Sequence, residues 1–208
     1  MVFRFLMITL FFVPISTAYS QENSCKHFKK LSCPEKWWVI GHPFVAQKAL
    51  IISLEAREKA DSIQQNKLLK GKGDGDQVDA FRHVYWMAKL TQVVGEKKSR
   101  KLGVAHEKGN QKDFEKGNKE DGSLPDQVSS EMDLWNNELG LKIGNETRGD
   151  LVEIVIGEIK KGRAKIVKTD AAGYFLDSQG NKIDSESLKG KWKNEKCLVG
   201  SDWVSPLN

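Results

Sequence analysis

The sequence predicts a mainly α-helical fold: a compact domain of about five helices with a small C-terminal β-hairpin appendage. Two observations carry this prediction. Apolar residues recur every three to four positions over most of residues 42–165, which is the period of helices with a buried face. After residue 166 that period is replaced by short apolar and polar runs around Ser178–Gln179–Gly180–Asn181, which is typical of a hairpin turn.

Residues 1–20 have the composition of a secretory signal peptide. Arg4 supplies the charged start, "FLMITLFFVPIS" is a short apolar segment, and "TAYS" ends in small residues. The apolar segment is shorter than a membrane-spanning helix, and no later stretch approaches the necessary length. We therefore expect an exported protein, periplasmic or extracellular, with no transmembrane segment in its mature chain.

The rest of the chain divides into three parts. Residues 21–41 predict an N-terminal loop segment, residues 42–165 the helical domain, and residues 166–208 the hairpin and tail. A length of 208 residues suits one such domain with a small appendage.

The formal net charge is +5, with lysines in small scattered clusters. This excess suits a protein that works near anionic envelope material, and it is equally ordinary for a solvated surface. Nucleic acid is disfavoured as a partner because a recognisable reading motif and interleaved aromatic residues are missing. The cysteines Cys25, Cys33 and Cys197 lack metal-binding spacing and are interpreted as structural, with the Cys25–Cys33 and Cys33–Cys197 pairings both open.

The first predicted helix runs from about Pro43 to Leu69, with the proline in its first turn. The segment "KGKGDGD" then breaks the chain with three glycines. Asp76 is a favourable N-cap for the second helix, which Gly95 ends. This second helix has two adjacent apolar faces, so we expect its neighbours to enclose it.

A short third helix, from about Glu96 to Glu107, leads into the polar surface loop "KGNQKDFEKGNKEDGS". Pro125 opens a fourth helix through Ile143, and a fifth spans about Gly149–Lys161. The fourth helix has a stripe that we expect to face the core and a neighbouring strip of polar and small residues. The stripe consists of Val128, Met132, Trp135, Leu139 and Ile143, and the strip of Asp133, Asn137, Gly140 and Gly144.

Several polar side chains lie on these otherwise apolar helices. Burying an ionisable group without a partner is unfavourable, so these groups should meet one another, a metal ion or water. We interpret their clustering as one functional cleft between helices. The groups are Asp79, Arg82 and His83, then His106 and Glu107, then Glu131, Asp133, Asn136 and Asn137.

Asp79 and His83 are four residues apart and therefore share one helix face. That spacing lets both residues ligate one cation, or lets the aspartate orient the histidine as a base. Structural explanations stand beside these. Asp79 can cap its helix, Arg82 can pair with Asp133 or Glu131, and a buried histidine can simply be a hydrogen-bonded core residue.

A divalent ion, zinc or calcium, is one candidate occupant of the cleft, because inward carboxylate and histidine pairs build metal sites in helical bundles. The sequence has no His-Glu-x-x-His motif, so spacing alone does not assign a metal. The candidate ligands are Asp79, His83, His106 and Asp133.

The motifs of the second to fourth helices resemble those of an uncharacterised bacterial domain family. That family carries Asp-Ala-Phe-Arg-His-Ala-(Tyr/Phe)-Trp, then Ala-His-Glu, then Met-Asp-Leu-x-Asn-Asn-x-x-Gly. The chain has "DAFRHVYW", "AHE" and "MDLWNNELG" in the same order, within a similarity over roughly residues 40–160. Family members occur in exported and toxin-like proteins. Trp135 departs from the pattern, because a smaller or polar residue often stands at its position.

The resemblance implies one polar centre and supplies no activity. The residues that it assigns to this centre are Asp79, Arg82, His83, Trp86, His106, Glu107, Asp133, Asn136 and Asn137.

The first function that fits these residues is a secreted hydrolase of cell-envelope material, with phospholipid the leading substrate and the cell-wall polymer peptidoglycan or nucleic acid as the other targets. His83 would be the general base, Asp79 its orienting carboxylate or a metal ligand, and Arg82 the group that holds a phosphate or oxyanion. The general acid, or further metal ligands, would come from His106, Glu107 and Asp133. The substrate would be contacted by Trp86, Asn136 and Asn137.

The second function is non-catalytic. An exported binding protein, or an immunity-type partner, would use the same polar network only to fix the packing of its helices. Substitution of His83 and Asp133 separates the two functions, since a structural network fails by unfolding and a catalytic one by loss of activity.

Overall fold

The computed structural model describes residues 26–119 and 124–205. Residues 26–30 are helical and belong to a short unit that ends at Leu31. A second unit begins at Ser32 and carries every element discussed below. The predicted signal peptide lies outside the described residues.

The second unit is mainly helical with a small antiparallel hairpin near its C-terminal end, which confirms the predicted fold class. Its helices are α1 (Cys33–Gly41), α2 (Pro43–Gln65), α3 (Gln77–Val94), α4 (Glu96–Lys116), α5 (Gln127–Glu146), α6 (Leu151–Lys160) and α7 (Ser185–Leu188), and its strands are β1 (Lys165–Val167) and β2 (Leu198–Gly200).

Helix α3 lies at the centre of this unit and contacts α2, α4, α5, α6 and β1. Its side chains are buried on nearly every face, among them Phe81, Val84 and Met87. The two adjacent apolar faces of the sequence predicted this enclosure, because a helix that is apolar on most sides is stable only when its neighbours cover it.

The start of α3 is ordered by one carboxylate, that of Asp76. It accepts hydrogen bonds from the backbone N–H groups of Val78 (2.9 Å) and Asp79 (3.2 Å), which confirms the predicted N-cap. It also accepts from the N–H groups of Lys72 and Gly73 in the preceding loop. A single side chain therefore shapes the glycine-rich turn and begins the central helix.

Helices α3 and α5 pack closely because α5 presents glycines to α3. A Cβ atom on Gly140 would lie 2.4 Å from the carbonyl oxygen of Val84, and one on Gly144 would lie 2.5 Å from that of Ala88. The small and polar strip of α5 is thus its buried contact face. The expectation that Trp135 faces the core is wrong: its side chain is 53 % exposed, because the glycine contact turns that side of α5 outward.

The predicted N-terminal loop contains helix α1, so the loop prediction is wrong for Cys33–Gly41. Ser32 and Glu35 form a capping box at its start, a pattern that marks a helix N-terminus. Trp38 is buried and its indole N–H donates to the carbonyl of Lys98 at 3.0 Å. This contact with α4 stabilises a helix that is too short to persist alone.

Three helix ends differ from the prediction, and α5 continues three residues past the predicted Ile143, to Glu146. Helix α2 ends at Gln65, four residues before the predicted Leu69. Helix α4 does not stop at Glu107 but continues to Lys116, so the first half of the predicted surface loop is helical. Its Gly109 is buried so close to the Ser32 hydroxyl that a Cβ would lie 2.4 Å away. Packing against α1 therefore extends a segment that looked like a solvated loop.

The C-terminal appendage pairs β1 with β2, in the register Lys165↔Gly200 to Val167↔Leu198. The predicted turn between Asp177 and Asn181 is present, and a bridge between Leu176 and Lys182 flanks it. The strand β1 also contacts the site region, because the N–H of Val167 donates to the carbonyl of Gly75 at 2.8 Å. The appendage thereby adjoins the loop before α3.

Within the described residues, every helix is too short or too polar to cross a membrane. Cys33 and Cys197, the two cysteines that the structure describes, are not joined to each other. Cys25 lies outside the described residues.

We expect Gly140→Ala to lower the free energy of unfolding by about 1–3 kcal/mol, because the new methyl group overpacks the α3–α5 contact. Chemical denaturation measures this change. Gly157→Ala on α6 is the matched control, since nothing lies within 4 Å of its Cβ position. There alanine should stabilise the helix by about 0.5–1 kcal/mol. Equal effects at both positions would contradict the close contact.

Candidate functional site

Three of the predicted site residues converge where α3 meets α5. The Nε2 atom of His83 lies 3.3 Å from an oxygen of Asp133 and 3.6 Å from an oxygen of Asp79. All three side chains are buried. Asp133 reaches His83 because the glycines of α5 bring the two helices together. We call these three residues the Asp–His–Asp cluster.

Asp79 is held on both sides. One carboxylate oxygen accepts a hydrogen bond from the N–H of Gly75 at 2.8 Å, and the other lies 2.7 Å from Nη2 of Arg82. The same Nη2 atom is 3.4 Å from Nε2 of His83. The Arg82 side chain is 19 % exposed, so it connects the buried cluster with the surface.

Burial sets the protonation of the cluster. It raises the pKa of Asp79 to about 6, although the Arg82 charge and the Gly75 N–H act to lower that pKa. Burial likewise lowers the pKa of His83 well below its usual range, and the charges of Arg82 and His106 act in the same direction. A neutral His83 imidazole can accept a proton or bind a metal ion.

His106 stands next to the cluster and does not enter it. Its ring centre is 6.3 Å from that of His83 and 5.6 Å from that of Trp86. Its Nδ1 atom is 3.0 Å from an oxygen of Glu35 on α1. Trp86 in turn donates its indole N–H to the hydroxyl of Ser53 at 2.9 Å. Both residues thus form one aromatic wall beside His83.

Glu35 is a site residue that the sequence interpretation missed. Its second oxygen accepts from the N–H (2.8 Å) and the hydroxyl (2.7 Å) of Ser32. Burial acts to raise the pKa of Glu35, but hydrogen bonds from His106 and Ser32 together hold it below its ordinary value. The Ser-x-x-Glu capping box was the available signal, and it marks a helix start without indicating that the glutamate also binds a distant histidine.

Three further predicted residues have other surroundings. The buried Glu107 accepts a hydrogen bond from Asn110 at 3.2 Å, on its own helix. Asn136 donates to the carbonyl of Lys165 (2.9 Å) and accepts from its N–H (2.8 Å), so its whole amide holds β1. These bonds favour a structural role for Asn136. Asn137 is buried beside the His83 ring, and its side chain acts to raise the pKa of that ring against the larger effect of burial.

A cavity of about 270 Å³ opens beside Asp79 and Arg82, between α2 and the glycine-rich loop. The residues that line it include three cations, Arg57, Lys72 and Arg82, and three carboxylates, Asp61, Asp74 and Asp79. Ionisable side chains therefore meet beside an opening in the protein surface. Asp79 and Arg82 lie at the boundary between the cluster and the cavity.

The Asp–His–Asp cluster is also a set that can hold a metal ion. One ligand atom from each residue lies within 4.8 Å of the other two. The 3.3 and 3.6 Å separations approach the ~3.3 Å between ligands of a tetrahedral zinc ion with bonds of about 2.0–2.1 Å. Arg82 contacts the same atoms, so an ion would have to displace its guanidinium. His106, the fourth predicted ligand, is outside this set.

The comparison with family models gives one match, to a model described as "Domain of unknown function (DUF6973)", over residues 36–164. No curated protein and no solved structure matches the chain. The matched residues include every member of the Asp–His–Asp cluster, Arg82 and His106.

We expect Asn136→Ala to lower the free energy of unfolding by about 2–5 kcal/mol, because it leaves the Lys165 N–H and C=O without their partner at about 1–3 kcal/mol each. Thermal or chemical denaturation measures this. The matched control is Asn145→Ala, an exposed asparagine on the same helix, with an expected effect within about 0.5 kcal/mol. A fully stable Asn136→Ala variant would restore the case for a substrate contact.

We expect the stability difference between the protein and its Asp79→Asn variant to depend on pH. An unfolded aspartate has a pKa of about 3.9, whereas the folded protein keeps the Asp79 proton to about pH 6. Between these values the folded state binds more protons, so raising the pH through this window destabilises the protein relative to the variant. The total is on the order of 3 kcal/mol.

Denaturation of both proteins at a series of pH values from 3 to 8 measures this difference. Asp61→Asn, an exposed carboxylate on α2, is the control. A difference that changes in the opposite direction would mean that Arg82 overcomes burial and keeps Asp79 ionised.

Proposed function

The chain belongs to the DUF6973 family, a domain of unknown function, and we propose that it is an exported hydrolase that cleaves an ester of cell-envelope phospholipid. The observation that carries this proposal is the neutral, buried His83 beside two carboxylates. A histidine of this kind is ready to take a proton from water, and neighbouring carboxylates stabilise the imidazolium that results.

In the proposed reaction, His83 acts as general base. It removes a proton from a water molecule that attacks the ester carbonyl carbon, and Asp79 and Asp133 stabilise the charge gained by the ring. The bond to the leaving alcohol oxygen then breaks, and a proton is returned to that oxygen. His106, which Glu35 orients through Nδ1, is the donor on the adjacent side. This reaction assigns no step to Glu107, whose carboxylate accepts a hydrogen bond from Asn110.

Arg82 gives the proposal its substrate class. Its guanidinium lies between the cluster and a cavity whose lining includes Arg57 and Lys72 and also the carboxylates of Asp61 and Asp74, so the support for a phosphate comes from Arg82 itself. Arginine binds phosphate and developing oxyanions well because its N–H groups are charged and arranged in a fork. A phosphate-bearing lipid is therefore favoured over a neutral substrate, and the predicted export places the enzyme where such lipids are exposed.

A divalent metal ion is an alternative way to activate the water. With Arg82 displaced, Asp79, His83 and Asp133 would supply one nitrogen and two oxygens, which suits zinc. Such an ion would lower the pKa of bound water and would leave His83 as a ligand instead of a base. Chelator sensitivity of the hydrolysis distinguishes the two forms of the proposal.

A non-catalytic exported binding protein or immunity-type protein remains the second candidate. The specific observation in its favour is the ion pair between Asp79 and Arg82, together with the two bonds by which Asn136 holds Lys165. In this candidate function, the sole role of the network is to fix the packing of α3 against α5. It predicts that the cluster matters for folding and for nothing else.

We expect Asp133→Asn and His83→Ala to lower the rate of phospholipid hydrolysis about 10²–10⁴-fold, which is the usual contribution of a general base and its support. Release of fatty acid from mixed vesicles measures this, and circular dichroism checks that the variants remain folded. His27→Gln, a histidine outside the second unit, is the control and should keep the parent rate.

The proposal fails if the parent protein releases no product from phospholipid with or without zinc or calcium. It also fails if the Asp133→Asn variant is folded and fully active. Unfolding of both variants, with no activity in the parent, would support the binding-protein candidate.

A further inference from the structure

The corner between α1 and α2 exposes large apolar side chains. Phe44, the second residue of α2, is 95 % exposed, and Trp37 on α1 is 68 % exposed. Ile40, Ile51 and Leu54 are exposed as well. We call these five residues the apolar corner. Isolated exposed hydrophobic residues are ordinary, but a group of this size marks a surface that meets another apolar phase.

Helical spacing places these residues on shared faces. Trp37 and Ile40 are three residues apart on α1, and Phe44 and Ile51 are seven residues, or about two turns, apart on α2. The opposite face of α2 is buried through Ala49, Ile52, Ala56 and neighbours, so it already packs against the core. The apolar corner is therefore a second apolar face of α2, which the fold of the described residues leaves in solvent.

The charges around the apolar corner have one sign. Residues 36–54 contain no aspartate or glutamate, although the chain has 28 acidic residues among 208, and Lys36 and Lys48 are their only lysines. The two flanking acids are held by partners. Glu35 binds His106, and Glu55, whose side chain is 31 % exposed, accepts a hydrogen bond from the Tyr85 hydroxyl at 2.6 Å. The exposed Glu58 follows one turn after Leu54. Residues 36–54 therefore present apolar groups and lysines without a carboxylate among them.

We propose that the apolar corner docks the protein on the surface of an anionic phospholipid bilayer. Tryptophan and aliphatic side chains enter the boundary between headgroups and acyl chains, where lysines beside them contact lipid phosphates. The missing carboxylates remove the repulsion that anionic lipids would otherwise exert.

This surface is distinct from the Asp–His–Asp cluster. The cavity residue Arg57 lies 13 positions after Phe44 on α2, about 20 Å along the helix. Docking is measured as binding, so it can hold or fail independently of the proposed hydrolysis. If both hold, docking brings the enzyme to its lipid substrate.

The test is sedimentation of the full chain with vesicles of phosphatidylcholine alone or with one third phosphatidylglycerol. We expect the double variant Trp37→Ser/Phe44→Ser to bind anionic vesicles at least about tenfold more weakly, because two apolar anchors are lost. Val93→Ser/Val204→Ser, which removes two exposed apolar residues elsewhere, is the matched control and should bind as the parent does. Lys36→Gln and Lys48→Gln should each weaken binding to anionic vesicles about fivefold.

Hydrogen exchange with peptide resolution provides a local measurement that does not depend on a variant. We expect the backbone of residues 36–54, and above all the α1–α2 turn, to exchange more slowly on vesicles than in solution. The proposal is overturned if the Trp37→Ser/Phe44→Ser variant binds as tightly as the parent, or if protection appears only in other segments such as residues 1–20. It is also overturned if the parent is a dimer that this variant dissociates, because a second copy then covers the corner.

Discussion

The close approach of α3 and α5 is the contact on which the rest of the structure depends. Gly140 and Gly144 leave no side-chain atoms between their helix and the carbonyl groups of Val84 and Ala88. At this separation Asp133 faces His83 directly, and the three side chains of the cluster share one buried place. A larger residue at either glycine would press on the backbone of α3 and so separate the two helices that carry Asp133 and His83.

The fold brings ionisable groups together where they are buried, and uncompensated buried charge is unfavourable. Three features limit that charge: the pKa of Asp79 is raised, the pKa of His83 is lowered so that its ring is neutral, and the Arg82 guanidinium pairs with Asp79. Each of these adjustments also has a chemical use. A neutral imidazole is a base or a ligand, and an arginine at the edge of the surface can bind an anion or be displaced by a metal ion.

The family match ends at residue 164, one position before the strand that Asn136 holds. Asn136 adjoins Asn137, which faces His83, so the helix of the site is tied to the appendage immediately outside the matched region. The apolar corner lies within the match, and it extends along α2 from Phe44 to Leu54, one turn before the cavity residue Arg57. The region that the family model matches thus includes the cluster and the proposed docking surface but not β1.

The local features of this protein could be predicted from its sequence, because they depend on residues a few positions apart. The helical class, the Asp76 cap, the enclosure of α3 and the shared face of Asp79 and His83 follow from period, capping and spacing. The tertiary structure decided which strip of α5 turns inward, that Trp135 points outward, that α1 exists, and that Glu35 reaches a histidine of the site. These outcomes depend on how closely neighbouring helices approach each other. Glycine permits a close approach because it has no side chain, and the apolar pattern of a single helix does not show which of its glycines face another helix.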